Sequence, residues 1–163
     1  MQNIETLKVT TPSDREIAMT RVFDAPRNLV WDAMTKPELL KRWLGVQNGW
    51  TLAVCEIDLK VGGAYRYLWR DPKGQEMGVR GVYREVLRPE RVVNTEKFDQ
   101  SWYSGEAVVT LVLVEQNGKT TLTLTVLYES RETRDGVLKS PMKEGLAAGY
   151  DTLAEVLASM EAS

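Results

Sequence analysis

A chain of 163 residues, of which 43% are hydrophobic and 27% charged, has the size and composition of one globular domain. Its 21 basic and 23 acidic side chains give a net charge of -2, which excludes the basic surplus that nucleic-acid-binding domains need. The sequence contains no histidine, so histidine triads, histidine metal sites and histidine acid–base catalysis are excluded too. Any chemistry would have to use carboxylates, Tyr, Lys, Arg or one thiol.

The compartment is predicted from the cysteine content and the apolar segments. Cys55 is the only cysteine, so an internal disulfide cannot form, and a reducing cytoplasm fits best. Residues 1–16 lack the apolar core of a signal peptide, and the longest strongly apolar run, 107–114, is too short to span a bilayer. We therefore expect a cytoplasmic single domain over 1–163, with 1–13 as a loosely ordered N-terminal segment.

Three elements are predicted in the first part of the chain. Alternating side chains predict a strand over 15–23. Pro26 then begins a short amphipathic helix, because the fixed φ of proline suits a first helical turn. A second short helix begins at Pro37 and ends by Gly45.

The middle of the chain, from 50 to 129, has a period of two and is divided by turn-forming residues. It predicts six strands, over 52–59, 64–70, 77–87, 91–98, 106–115 and 119–128. The short links between them indicate an antiparallel sheet. Residues 130–140 are predicted to be irregular, and apolar residues spaced three and four apart predict a final helix over 141–160.

The predicted order is one strand, two short helices, six strands and one long helix. A sheet of about seven strands must cover one apolar face, and only the terminal helix is long enough to do so. The sequence therefore predicts an α+β fold in which the sheet curls around the last helix.

Several motifs resemble one known superfamily. The segment 21–43, RVFDAPRNLVWDAMTKPELLKRW, resembles the opening of START-like (SRPBCC) proteins, in the branch related to activators of heat-shock-protein ATPase. Residues 58–63 leading into an aromatic strand, the segment 81–91, and Gly149-Tyr150 followed by Leu153 and Leu157 are similar to later parts of the same family.

The resemblance implies a helix-grip fold, in which a bent antiparallel sheet wraps the C-terminal helix and leaves a deep cavity. Members of the superfamily bind lipids, sterols, hormones or polyketides, some catalyse cyclisation or dehydration, and others act on a chaperone. This branch has no universal catalytic set to transfer. Leu44 stands where the family usually carries a second aromatic residue after Trp43.

Candidate ligand-binding residues follow from side-chain alternation and helical spacing. They are Tyr65, Tyr67, Trp69, Met77, Val79, Tyr83, Phe98, Leu111, Leu113 and Tyr128 on the strands, with Met142, Leu146 and Tyr150 on the last helix. For each of them, plain core packing is the alternative to a pocket role. For the predicted strands over 52–59 and 91–98, the sequence does not decide which face points inward.

The terminal helix carries two glycines, Gly145 and Gly149, each of which costs roughly 1 kcal/mol relative to alanine. Close contact between helix and sheet would explain them, and so would room for a ligand beneath Leu146 and Tyr150. A dry cavity of about 300 Å³ would cost roughly 7 kcal/mol, so water or a ligand must fill a cavity of that size.

The charged candidates are three carboxylates. Glu56 and Asp58 lie two apart on one strand face, and either of them, or Glu96, could act as an acid or base if it faced a cavity. Exposed ion pairs are the alternative for these residues. Cys55 is expected to pack as a small apolar group, and no metal or cofactor is predicted.

Three functions remain open at this point. The first is binding of a hydrophobic or amphipathic small molecule, such as a lipid, steroid or polyketide. The second is a cavity enzyme of cyclase, dehydratase or hydrolase type that uses a carboxylate with Tyr65, Tyr67 or Tyr83. The third is a chaperone-ATPase stimulator or homodimer, for which Trp43, Trp50 and Trp102 would form an exposed patch.

Overall fold

One antiparallel sheet of eight strands dominates the computed structural model, which describes residues 7–100, 103 and 105–162. The strands are β1 (Lys8–Thr10), β2 (Glu16–Phe23), β3 (Thr51–Ile57), β4 (Ala64–Arg70), β5 (Glu76–Leu87), β6 (Arg91–Phe98), β7 (Ala107–Gln116) and β8 (Lys119–Leu127). Their order across the sheet is β1-β2-β8-β7-β6-β5-β4-β3. The six strands from β3 to β8 are therefore a meander, and β2 pairs with the last strand of that meander, β8.

In the described part of the chain, four α-helices accompany the sheet: α1 (Arg27–Thr35), α2 (Pro37–Leu40), α3 (Arg131–Leu138) and α4 (Met142–Ala162). Pro26 and Pro37 lie at the starts of α1 and α2, as their fixed φ favours. The turns after α2 end at Gly45, whose φ of 68° suits glycine. Among the described helices, none is both long and apolar enough to cross a membrane.

Two parts of the fold differ from the sequence prediction. Lys8–Thr10, inside the segment expected to be loosely ordered, is β1 and pairs with β2. Residues 130–140, expected to be irregular, contain α3, so that prediction was wrong. The side chain of Ser130 caps this helix by accepting a hydrogen bond of 3.1 Å from the backbone N–H of Thr133, and the buried side chain of Val137 anchors it.

The terminal helix α4 is fixed by side chains on its inner face. The ring of Tyr150 lies edge-on to Phe23 of β2, with ring centroids 5.6 Å apart, and 6.0 Å from the ring of Trp43 after α2. Arg21 of β2 donates a hydrogen bond of 2.7 Å to Asp151. The helix therefore packs against β2 and against the turns that follow α2.

Two strands of the sheet carry irregular pairing. The register shifts between Leu52 and Val54 on β3, and between Tyr83 and Glu85 on β5. Such bulges increase local twist and curvature. The helix-grip architecture predicted from the resemblance is confirmed, with eight strands rather than about seven.

Candidate functional site

A cavity of about 140 Å³ lies between the concave face of the sheet and the α1–α2 segment. Five neighbouring strands, β4 to β8, form one wall, and the helical segment forms the other. The lining residues are mostly apolar or aromatic: Met34, Thr35, Leu40, Trp43, Leu44, Tyr65, Tyr67, Tyr83, Val92, Asn94, Glu96, Val109, Leu111 and Leu124. The cavity therefore has an apolar wall with a few polar groups in it, which is typical of small-molecule sites.

The cavity is displaced from the place where the sequence predicts it. None of the residues described as lining it belongs to α4. Trp43 explains the displacement, because its ring borders the cavity and also packs against Tyr150 of α4. The indole Nε1 donates a hydrogen bond of 2.9 Å to the carbonyl of Ala33, which ties the turns after α2 to α1. The α1–α2 segment thus covers the cavity, and α4 packs behind it.

Three tyrosines on β4 and β5 lie side by side on the cavity wall. The ring centroids of Tyr65 and Tyr67 are 5.0 Å apart, and those of Tyr65 and Tyr83 are 5.5 Å apart. The hydroxyl of Tyr65 donates a hydrogen bond of 2.6 Å to the carbonyl of Thr95 and accepts one of 3.1 Å from Asn94. Burial raises the pKa of all three hydroxyls above the usual value, so the tyrosines are neutral at physiological pH.

The strand β6, whose inner face the sequence leaves open, directs Val92, Asn94 and Glu96 to the cavity. Glu96 accepts a hydrogen bond of 3.3 Å from the hydroxyl of Tyr103. Burial raises the pKa of the Glu96 carboxyl to about 7, and the hydrogen bond from Tyr103 opposes that effect only in part. A carboxyl of this pKa can lose or gain a proton near neutral pH.

The predicted ligand-binding residues divide into two groups. Tyr65, Tyr67, Tyr83 and Leu111 line the cavity, together with the carboxylate candidate Glu96. The others do not appear on its wall. Five are buried in the core: Trp69, Val79, Leu113, Tyr128 and Tyr150. Three are half-buried against the core, namely Phe98, Met142 and Leu146, and Met77 is exposed near the start of β5. Their part in ligand binding stays a prediction.

The helical side of the cavity is not predicted by the sequence. Met34, Thr35, Leu40, Trp43 and Leu44 form it. The amphipathic pattern of the two short helices identifies Met34 and Leu40 as inward-facing, but it does not distinguish packing against the sheet from covering a cavity. Leu44, at the position where the family usually has an aromatic residue, borders the cavity with a smaller side chain.

The two helix glycines do not border the cavity. A β-carbon on Gly145 would meet no atom within 4 Å, and one on Gly149 would lie 3.8 Å from the carbonyl oxygen of Trp43. Close helix–sheet contact is therefore wrong as an explanation for Gly145. Space for a ligand beneath Leu146 and Tyr150 is not supported either, because neither residue lines the cavity.

The other charged candidates lie outside the cavity. Glu56 and Asp58 are exposed, and Asp58 forms an ion pair of 3.7 Å with Lys60. Cys55 is half-buried opposite Tyr67, and burial raises the pKa of its thiol to about 11. Within the described ranges, no three His, Cys, Asp or Glu side chains are grouped as metal ligands would be.

A second depression, of about 280 Å³, lies between Tyr103 and the helix α3. It is lined by Tyr103, Glu132, Thr133, Gly136 and Val137, and Glu132 and Gly136 are exposed. It lacks the aromatic wall of the inner cavity and a carboxyl like that of the half-buried Glu96. We therefore regard the inner cavity as the candidate site.

Residues 24–158 match the family described as activator of Hsp90 ATPase homolog 1-like protein. The chain belongs to this family. The matched segment contains every residue described as lining the cavity, so the site lies wholly within the part of the chain that defines this activator-homologue family. No curated protein matches the sequence.

Solved structures share the fold over almost the whole chain. A protein from Rhodobacter sphaeroides is 31% identical, with a TM-score of 0.89 over 94% of this chain and 99% of that one. A protein from Nitrosomonas europaea is 23% identical, with a TM-score of 0.82 over 94% and 100% of the two chains. One from Mycobacterium smegmatis is 22% identical, with a TM-score of 0.83 over 96% and 99%. The START-like resemblance is thus confirmed.

Proposed function

We propose that the protein binds a hydrophobic or amphipathic small molecule in the cavity between strands β4 to β8 and the α1–α2 segment. The observation that carries the proposal is the composition of the wall, where aromatic and aliphatic side chains surround the amide of Asn94, the carboxyl of Glu96 and the tyrosine hydroxyls. Such a wall supplies apolar burial and a few directional hydrogen bonds, the combination that small-molecule sites use.

The energetics of an unfilled cavity support the same proposal. At about 24 cal/mol per Å³, a dry void of 140 Å³ would cost about 3 kcal/mol, a substantial part of the stability of one domain. Polar groups such as Asn94 and Glu96 would hold water in the absence of a ligand. Displacing poorly ordered water with an apolar group would then favour binding.

A binding assay can use Trp43, which borders the cavity, as its reporter. Tryptophan fluorescence and melting temperature are measured against panels of one-ring aromatics, lipids, steroids and polyketides. We expect a saturable fluorescence change and a higher melting temperature with at least one class. A complete absence of change in both signals across all classes would contradict the proposal.

Two neighbouring residues of β7 provide a matched pair of variants. Val109 lines the cavity, whereas Val108 is half-buried on the opposite face of the strand. Val109→Phe should fill part of the cavity and abolish binding, and Val108→Phe should leave binding unchanged. Unchanged binding in both variants would mean that the ligand binds elsewhere. Equal loss in both would mean that the fold is damaged, which circular dichroism and the melting temperature detect.

A second candidate function is catalysis in the same cavity, and one observation favours it. Glu96 has a pKa of about 7 and shares the cavity with Tyr65, Tyr67 and Tyr83. A carboxyl near its pKa could transfer a proton in a cyclisation, dehydration or hydrolysis. Mass spectrometry of a bound ligand after incubation separates the two functions: an altered mass that Glu96→Gln prevents would indicate an enzyme, and an unchanged ligand would indicate a binding protein.

Stimulation of a chaperone ATPase, which the family description names, is less favoured for this chain. The exposed tryptophan patch that would support a docking role is not formed as expected, because Trp43 is 1% exposed. Trp50 is half-buried against the core, and Trp102 lies outside the described residues. An ATPase assay of Hsp90 with and without this protein tests the alternative directly.

A further inference from the structure

The charged side chain on the described wall of the cavity is acidic. Glu96 is the one carboxyl among the residues described as lining the cavity, and neither lysine nor arginine occurs in that set. The sequence supplies no histidine that could replace them. A ligand carboxylate or phosphate would therefore enter an apolar space without a cation to pair with, and it would lie near a second negative group. The wall disfavours anions.

Glu96 also lacks a cationic partner of the kind that Asp99 has. Asp99, three residues further along, forms ion pairs with Arg66 and Arg80. In the described part of the chain, no basic side chain lies within 4.0 Å of Glu96 in an ion pair, and its hydrogen bond comes from the neutral hydroxyl of Tyr103. Glu96 is half-buried, and a carboxylate partly removed from water without a cation is unfavourable. A cation brought by the ligand would remove that penalty.

The three neighbouring tyrosines suit the same ligand charge. Tyr65, Tyr67 and Tyr83 lie together on the wall, and all three are neutral. Aromatic rings attract ammonium groups through the negative charge on their faces, and groups of such rings bind alkylammonium ligands in other proteins. The tyrosines therefore add attraction for a cation, and they add none for an anion.

The volume limits the size of the ligand. An apolar protein cavity of about 150 Å³ accommodates benzene. The present cavity, at about 140 Å³, has room for one ring with a short substituent. A steroid or a long acyl chain would require the α1–α2 segment to move outward.

From this wall we propose that the ligand is an organic cation of about one ring, whose ammonium group lies at the carboxylate of Glu96 beside the tyrosines Tyr65, Tyr67 and Tyr83. The assignment rests on the proposed function, since it names the class of ligand for that same cavity. It goes beyond that function by specifying the charge, the size and the residue that selects the charge.

Three probes of nearly equal shape test the assignment: phenethylammonium, phenethyl alcohol and phenylacetate. Calorimetry at pH 8 measures their affinities, because Glu96 is then ionised and the amine is protonated. A charge-assisted hydrogen bond should make phenethylammonium bind about tenfold more tightly than the alcohol, and phenylacetate should bind least. The assignment is overturned if the alcohol or the acid binds as tightly as the amine.

Two variants make the test specific for Glu96. Glu96→Gln should reduce the affinity for phenethylammonium to that for the alcohol and leave the alcohol unchanged. Glu56→Gln, the same substitution at an exposed position on β3, should preserve the preference for the amine. If all three probes fail and a larger neutral molecule binds, the cation assignment is wrong and the proposed function stands. If no compound of any class binds, the proposed function itself is contradicted.

Discussion

The hydroxyl of Tyr103 donates a hydrogen bond of 3.3 Å to Oε1 of Glu96, so a neutral group, rather than a cation, faces this carboxyl. A hydrogen bond to the ionised form lowers a pKa, and burial raises it. Burial is the larger effect here, since the pKa of Glu96 rises from 4.5 to about 7. The other titratable groups that interact with Glu96 are Tyr65, Tyr67 and Tyr128, all of which have raised pKa values and remain neutral.

The pKa of Glu96 predicts how stability depends on pH. Because the folded protein holds this proton more tightly than the unfolded chain does, the contribution of Glu96 is most favourable below pH 4.5 and is lost as the pH rises through about 7. Compared with Glu96→Gln, the wild-type protein should lose up to about 3 kcal/mol of unfolding free energy across this interval. Urea denaturation of both proteins at pH 4.5, 6 and 8 measures the difference.

The control for this experiment is Glu56→Gln, whose exposed side chain should give a difference from wild type that is nearly constant with pH. If the difference in unfolding free energy between wild type and Glu96→Gln is also constant with pH, the cavity solvates the carboxylate and Glu96 has an ordinary pKa. A bound organic cation should reduce the decrease in stability between pH 4.5 and 7, because it would compensate the ionised carboxyl.

Cys55 should react slowly with thiol reagents. Burial raises the pKa of its thiol from 9.0 to about 11, and the positive charge of Lys41 opposes this only in part. Since the thiolate is the reactive form, alkylation by iodoacetamide at pH 8 should be roughly a hundredfold slower than for a small-molecule thiol. The protein unfolded in urea is the control, and it should react at the ordinary rate. Fast labelling of the folded protein would show that the thiol of Cys55 is not kept protonated by its half-buried environment.

The alternation of side chains explains why most of the fold could be predicted from the sequence. Leu122 and Val126 of β8 are buried beside half-buried threonines, and the predicted bounds of β4 and β6 agree with the structure. The sequence does not predict the helix α3 by periodicity, because its residues are mostly polar and include Gly136, so the amphipathic pattern is short. The N-capping residue Ser130 is the feature of the sequence that indicates the start of this helix.

The candidate site was less predictable, because it depends on register and on contacts between distant residues. On β6, Val92 and Val93 give both faces an apolar residue, and the shift in pairing with β5 after Tyr83 is not visible in the sequence. The position of the cavity depends on Trp43, which packs between the cavity and α4. Local periodicity indicates that Trp43 faces inward. It does not indicate that the side chain lies between the cavity and α4.

A third prediction concerns the terminal helix. Gly145 is exposed and has open space around its β-position, so Gly145→Ala should raise the unfolding free energy by about 0.5–1 kcal/mol through the better helix propensity of alanine. The comparison is Gly63→Ala, where a β-carbon would lie 2.0 Å from the backbone oxygen of Asp58 and should cost about 1–3 kcal/mol. Denaturant titration measures both. A loss of stability in Gly145→Ala would indicate a contact at that face.

The last prediction concerns the ion pair that joins β2 to α4. The guanidinium of Arg21 is buried, bonds to Asp151 at 2.7 Å and lies 5.0 Å from the centre of the Phe23 ring. Asp151→Ala would leave this cation without its carboxylate, and because the Asp151 side chain is itself 66% exposed, we expect a loss of about 1–2 kcal/mol rather than the larger cost of a fully buried pair. The comparison is Glu76→Ala, which breaks the exposed pair between Glu76 and Arg70 and should cost less than about 1 kcal/mol. Equal losses in urea denaturation would mean that water solvates Arg21 as well as it solvates Arg70, and that α4 is held by its apolar contacts alone.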